Sequence, residues 1–258
     1  MNKICRRCLI ALAASAGAVV LRPAFALNYQ ELEVYPYQTA LKGELELENA
    51  TAYTDRGTDQ AGTAYNNDGL LRDSVEATYG ITNKLEISAY GDTSHPQGGE
   101  WQWDGARFHA RMRFFEKDQL PVDLGAYVEL ELPRHDVDQR ELEFRGIAEK
   151  DFGRWTYDFN PIFEKVLRGA NVNAGWDFQY AAAAIYRMNE RYHPRLDFFG
   201  DFGPLSHFSP TSSQQHLISP ALDIRINPTF HVLTGIAFGM TRASEQTLLR
   251  LSIEKEFY

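Results

Sequence analysis

The stretch YVELELPRHDVDQRELEF, residues 127–144, alternates apolar and charged positions in two arms separated by a turn. Val128, Leu130 and Leu132, then Leu142 and Phe144, share one face, while Glu129, Glu131, Glu141 and Glu143 share the other. Such alternation predicts a β-hairpin, and the pattern recurs along the chain. It predicts strands over residues 43–54, 70–80, 83–92, 105–115, 121–132, 140–151, 154–166, 173–186, 193–203, 215–226, 229–240 and 247–258. The stretch YAAAAIYRMNERY, 180–192, has a helix-forming composition and fits the pattern least well.

Strands in soluble domains average roughly five or six residues. These segments run to about ten to thirteen, and roughly nine to eleven tilted residues cross a bilayer. Their connections mostly alternate between longer (55–69, 93–104) and shorter (ITN, 81–83), which places both termini of an even-stranded array beside the short turns. Together these features predict an all-β fold: a closed, up-and-down antiparallel transmembrane β-barrel of about 12 strands.

Cross-strand register tests that reading. With Asp118 as the turn centre, Phe114, Met112, Ala110, Phe108 and Ala106 oppose Val122, Leu124, Ala126, Val128 and Leu130, an apolar face throughout. On the other face Arg113 meets Asp123, Arg111 meets Gly125, His109 meets Tyr127 and Arg107 meets Glu129, so opposite charges come together. Likewise Leu85, Ile87 and Ala89 oppose Tyr79, Ala77 and Val75. A soluble sandwich would turn the apolar rows inward and a membrane barrel would turn them to lipid. Aromatic residues at the row ends favour lipid: Tyr79, Phe114, Trp155, Tyr186, Phe230 and Phe257 near short turns, and Tyr53, Phe163, Trp176 and Phe202 near long loops, as two interfacial girdles.

Residues 1–26, MNKICRRCLIALAASAGAVVLRPAFA, have a basic start, an apolar run from Leu9 to Leu21 and Ala24-Phe25-Ala26 as a cleavage site, which reads as a secretory signal peptide. Arg6-Arg7 also admits a twin-arginine reading. Cleavage would remove both cysteines, Cys5 and Cys8, so no disulfide framework is available to the mature chain. Losing four basic residues and no acidic one moves the formal net charge from -9 to -13 and makes nucleic acid an unsuitable partner. No mature segment approaches the 18 apolar residues of a membrane helix, a test that barrel strands escape. The expected organisation is a signal peptide over 1–26, a periplasmic segment or further strand over 27–42, and an outer-membrane barrel over 43–258.

The pore-lining candidates are Glu129, Glu131, Glu141, Glu143, Arg107, Arg111, Arg113 and Asp123. Pairing Glu131 with Glu141 and Glu129 with Glu143 sets like charges opposite one another, which is destabilising unless cations, arginines or protons intervene. The arrangement suits either a cation-favouring constriction or a salt-bridged interior. HDVD, His135 to Asp138, has divalent-ion ligand types in a solvated loop. The seven histidines form no Ser-His-acid spacing, no catalytic residue is assigned, and no cofactor is implied.

The segment VEATYGITNKLEISAYGD, 75–92, resembles a hairpin of the outer-membrane family named for the MetA pathway of phenol degradation, in which a Tyr-Gly-hydrophobic-Thr turn joins two amphipathic strands. ALKGELELENATAYT resembles that family's first strand. The C-terminal strand, with Leu249, Leu251, Ile253 and Phe257 in phase, resembles the closing strand read by the barrel assembly machinery, although Lys255 interrupts the face and Tyr258 falls out of phase. The resemblance implies a transporter-like outer-membrane barrel for small organic molecules; the barrel architecture places it in the lipid of a Gram-negative outer membrane, and the lumen glutamates add a cation as a candidate substrate. A lipid-modifying barrel enzyme, and a structural or adhesive barrel acting through loops 55–69 and 204–214, are the alternatives.

Overall fold

The computed structural model describes residues 27, 29–30, 32–58, 67–134, 139–169 and 171–258. Twelve strands account for most of them: β1 (Leu45–Thr58), β2 (Leu71–Thr82), β3 (Leu85–His95), β4 (Gln102–Arg113), β5 (Asp123–Pro133), β6 (Arg140–Phe152), β7 (Trp155–Arg168), β8 (Asp177–Tyr186), β9 (Tyr192–Pro204), β10 (Gln215–Asn227), β11 (Phe230–Gly239) and β12 (Glu245–Phe257). Each pairs antiparallel with its sequence neighbours, and β1 closes on β12. Closure gives each strand a neighbour on both sides, as a bilayer requires of any sheet that crosses it.

The period-two pattern resolves into an inside-out arrangement. Phe108 is 48% exposed on the outer surface, whereas Arg107 and His109, one residue away on either side, are 2% and 4% exposed in the lumen. Val75, Ile87, Met112 and Val128 are exposed on the same outer face, while Glu76, Glu86 and Glu129 are buried. Aromatic rings mark both ends of the outer wall. Trp155 meets Tyr186 at 5.0 Å between centroids at the short-turn end, and Phe178 meets Phe163 at 5.4 Å and Phe202 at 5.7 Å at the other. Lys255, out of keeping with its apolar row, sends its ammonium to Thr229 Oγ1 in the adjacent short turn. This is how a long cationic side chain reaches polar surroundings from an apolar face.

Two registers differ from expectation, each by two residues. Between β4 and β5, Phe108 opposes Leu130 and Arg107 opposes Glu131. The turn centre lies one residue later than Asp118, which adopts φ 64° and donates its N–H to Asp123 Oδ1 at 2.7 Å. Between β2 and β3, Tyr79 opposes Ile87 and Ala77 opposes Ala89, with a one-residue bulge between Gly80 and Thr82 beside the turn. A two-residue shift leaves every side chain on its face, so the lipid and lumen rows survive while individual partners change.

Candidate functional site

The described residues of the 27–42 segment join no strand; they run through the barrel lumen. At the long-loop end Leu27 N–H donates to Gln215 Oε1 at 3.0 Å. At the short-turn end Lys42 N–H donates to Asn83 Oδ1 at 3.1 Å, and Gly43, at φ 85°, turns the chain into β1. In between, Leu27, Tyr29, Leu32 and Val34 are buried against Ile162, Ala181, Ala183, Phe199, Leu217, Ala237 and Leu248 of the wall. That contact accounts for the alanine run of β8. Helix propensity is overridden because Ala181 and Ala183 face the lumen where the threaded segment needs room, and small side chains supply it.

Lumen side chains stand in for the strand neighbours that the segment lacks. Asn160 accepts from Tyr35 N–H at 2.8 Å and donates to Tyr35 C=O at 3.1 Å. Glu149 accepts from Tyr37 N–H at 2.9 Å, Glu86 from Ala40 N–H at 2.5 Å, and Arg250 donates to Leu32 C=O. The Tyr35 ring packs between the Arg111 and Arg145 guanidiniums, 5.0 and 4.6 Å from its centroid, and its hydroxyl meets that of Tyr90 at 2.6 Å. Buried backbone groups must find partners, and buried carboxylates and guanidiniums in the wall meet that need here.

All eight predicted pore residues face the lumen, but their partners are redistributed by the register. Arg107 binds Asp92 at 2.8 Å and reaches Glu129 at 3.5 Å; Arg111 binds Glu86 at 2.5 Å; Arg113 binds Glu116 at 3.0 Å rather than Asp123. Glu131 does oppose Glu141, and Glu129 opposes Glu143. Glu129 accepts from Tyr127 Oη at 2.5 Å, and Glu143 from Arg145 Nε at 2.9 Å.

The opposed carboxylates extend beyond the four glutamates of the β5–β6 hairpin. Glu143 opposes Glu164 on β7, which opposes Asp177 on β8, so Glu129, Glu143, Glu164 and Asp177 form one row across four strands near the long loops. A second acidic arc spans the closure seam near the short turns: Glu46 opposes Glu256, Glu48 opposes Glu254, and Glu48 also opposes Glu76. The carboxylates of Glu44, Glu46 and Glu256 lie within 4.8 Å of one another, as do those of Glu33, Glu48 and Glu76, close enough for a cation to bridge each set. The GELELEN and SIEKEFY stretches carry that signal, but their juxtaposition exists only once the barrel closes. A cavity of about 960 Å³ opens between this seam, the threaded segment and the short-turn ends of β8–β10.

Two histidines lie on opposite faces of the wall. His109 is buried in the lumen, 3.1 Å from Tyr90 Oη and 3.9 Å from Glu76, and His216 lies on the outer face, 3.4 Å from Tyr180 Oη. Ser244 Oγ touches His216 through the backbone, not the ring. HDVD lies outside the described residues.

No family profile and no curated protein matches the chain in sequence. Its fold is shared with solved structures. The COG4313 outer membrane channel from Pseudomonas putida F1 superimposes with a TM-score of 0.62 at 11% identity, over 87% of this chain and 100% of that one. The KdgM porin gives 0.56 at 10% identity over 83% and 99%, and the NanC porin 0.53 at 7% over 83% and 99%. At such identities the likeness shows the fold, that of outer-membrane channel barrels.

Proposed function

We propose that this chain is a channel or transporter for a small solute in the outer membrane of a Gram-negative bacterium, with its own N-terminal segment as the obstruction that passage must clear. The observation that carries this reading is the lumen itself. Its wall is lined with charge, a cavity of about 960 Å³ enters from the short-turn end, and a single extended segment occupies the centre. An adhesive or structural barrel has no need of such an interior. The shared fold with channel and porin structures supports the reading, as does the resemblance of residues 75–92 to a transporter-like family.

The carboxylate row at the long-loop end makes that mouth cation-favouring, because charges in a narrow low-dielectric passage are poorly screened. Planar-bilayer recording tests the whole proposal. The full-length chain should give small, intermittent conductance, and a variant lacking residues 27–42 should conduct several-fold more while keeping the heat-modifiable gel migration of a folded barrel. Folded barrels that are electrically silent in both forms would overturn it.

A further inference from the structure

The cavity at the short-turn end has walls of opposite sign. One arc, on β1 and β12, presents Glu46 and Glu48 directly opposite Glu256 and Glu254. Beyond β11, the arc formed by β9, β10 and the turn before β9 brings Arg191 and Arg225 to the same cavity. The two arginines are neighbours, since Arg225 N–H donates to Arg191 C=O at 2.8 Å. Arg225 meets Asp223 only at 3.9 Å with its side chain 48% exposed, and Arg191 stacks 5.6 Å from the Tyr192 centroid. A guanidinium has five N–H donors, and these contacts leave most of them for a ligand. The acidic arc has partners of its own, Ser252 Oγ donating to Glu48 at 2.5 Å and His231 lying 4.0 Å from Glu256, but its carboxylates still stand opposite one another and repel, and a further cationic group between them relieves it.

We infer that this cavity binds a small zwitterion, its ammonium held by the β1–β12 glutamates and its carboxylate by Arg191 and Arg225. This rests on the channel reading and names the substrate class of that lumen. A solute with one charge satisfies one arc and leaves the other as it was. A solute with both charges satisfies the two together, and it carries no net charge to be retarded by the field of either wall.

The test is calorimetric titration of the full-length chain in detergent with three probes of one length: 5-aminopentanoate, pentanoate and pentylammonium. The zwitterion should bind at least tenfold more tightly than either singly charged probe. Glu46→Gln with Glu254→Gln should reduce its affinity to that of pentanoate, and Arg191→Gln with Arg225→Gln to that of pentylammonium. Gel migration reports whether each variant folds, and the exposed Arg225→Gln alone, expected to lose at least threefold, serves if a double variant does not. Pentylammonium binding as tightly as the zwitterion, or no probe binding at all, overturns the inference. Zwitterion binding by a barrel that never conducts would overturn the channel reading and leave this one standing; conduction without zwitterion preference would do the reverse.

Discussion

Asn160 of β7 and Tyr35 of the threaded segment exchange two hydrogen bonds, N–H to Oδ1 at 2.8 Å and Nδ2–H to C=O at 3.1 Å, with Asn160 wholly buried. The amide side chain thus reproduces, at one residue, the pairing that a neighbouring strand would offer. Asn160→Ala removes both bonds and leaves a buried N–H and C=O of Tyr35 unsatisfied, at a cost of about 1–3 kcal/mol. Every 1.4 kcal/mol is a tenfold shift in an equilibrium. Amide hydrogen exchange over residues 32–41 should therefore accelerate by roughly ten- to a hundredfold, with barrel amides unaffected. Unaltered protection would mean that the Asn160 pairing contributes nothing to holding the segment, which then rests on its apolar contacts and its bonds to Glu149, Glu86 and Arg250.

Gly80 connects the threaded segment to the first hairpin. A Cβ added there would lie 1.8 Å from Leu41 O and 2.6 Å from Leu41 C, both backbone atoms that cannot swing aside. Gly80 also accepts from Gly43 N–H at 2.8 Å, so segment and hairpin are closely apposed as the chain enters β1. Gly80→Ala should displace the segment's end without unfolding the barrel. A cysteine placed at buried Ala40, in a mature chain expected to hold no other thiol, reports this directly. Its labelling by a soluble maleimide should be slow in the parent and at least tenfold faster with Gly80→Ala, and equal rates would refute the apposition.

Tyr79-Gly80-Ile81-Thr82 is also the turn on which the family resemblance rests, and its glycine could be read from sequence while the reason for it could not. Alternation is a local property, so the strands, their faces and the lumen position of Glu129 to Glu143 were all legible. Partners across a turn depend on where its centre falls, and in the β2–β3 and β4–β5 hairpins they lie two residues from those that alternation alone suggests. The threaded segment was hidden because LNYQELEVYPYQTALK has no period of its own. Its trace lies in the wall, where Ile162, Ala181, Ala183, Leu217, Ala237 and Leu248 are apolar at lumen positions. Apolar residues on both faces of β7, β8, β10, β11 and β12 signal that something apolar fills the interior.

The orientation of the outer wall predicts an asymmetry between adjacent residues. Phe108→Lys places a charge against hydrocarbon, where lysine costs about 2–4 kcal/mol near the bilayer midplane. Ala substitution at Phe108 should cost much less, since the side chain faces lipid in the folded barrel. Urea unfolding in lipid vesicles would measure both. A Phe108→Lys barrel as stable as the parent would contradict the assignment of this face to lipid.

The carboxylates at the long-loop mouth separate into two kinds. Glu129 and Glu143 hold Arg107 and Arg145, and Arg145 in turn packs on Tyr35, so neutralising them disturbs the seat of the threaded segment as well as the field. Glu131 and Glu141 oppose one another nearer the mouth, with Gln139 donating to Glu141 at 3.0 Å. Replacing this second pair with glutamine removes like-charge repulsion, and should stabilise the barrel by about 0.2–1 kcal/mol. The same change should lower cation preference, read as a smaller reversal potential across a potassium chloride gradient in the variant lacking residues 27–42, where the lumen is open. Adding Glu129→Gln and Glu143→Gln should lower the preference further but cost stability, because two largely buried guanidiniums lose carboxylate partners. A reversal potential that stays at the parent value in both variants would show that ions are not selected at this mouth, and that Glu129 and Glu143 serve to bind Arg107 and Arg145, the second of which packs on Tyr35.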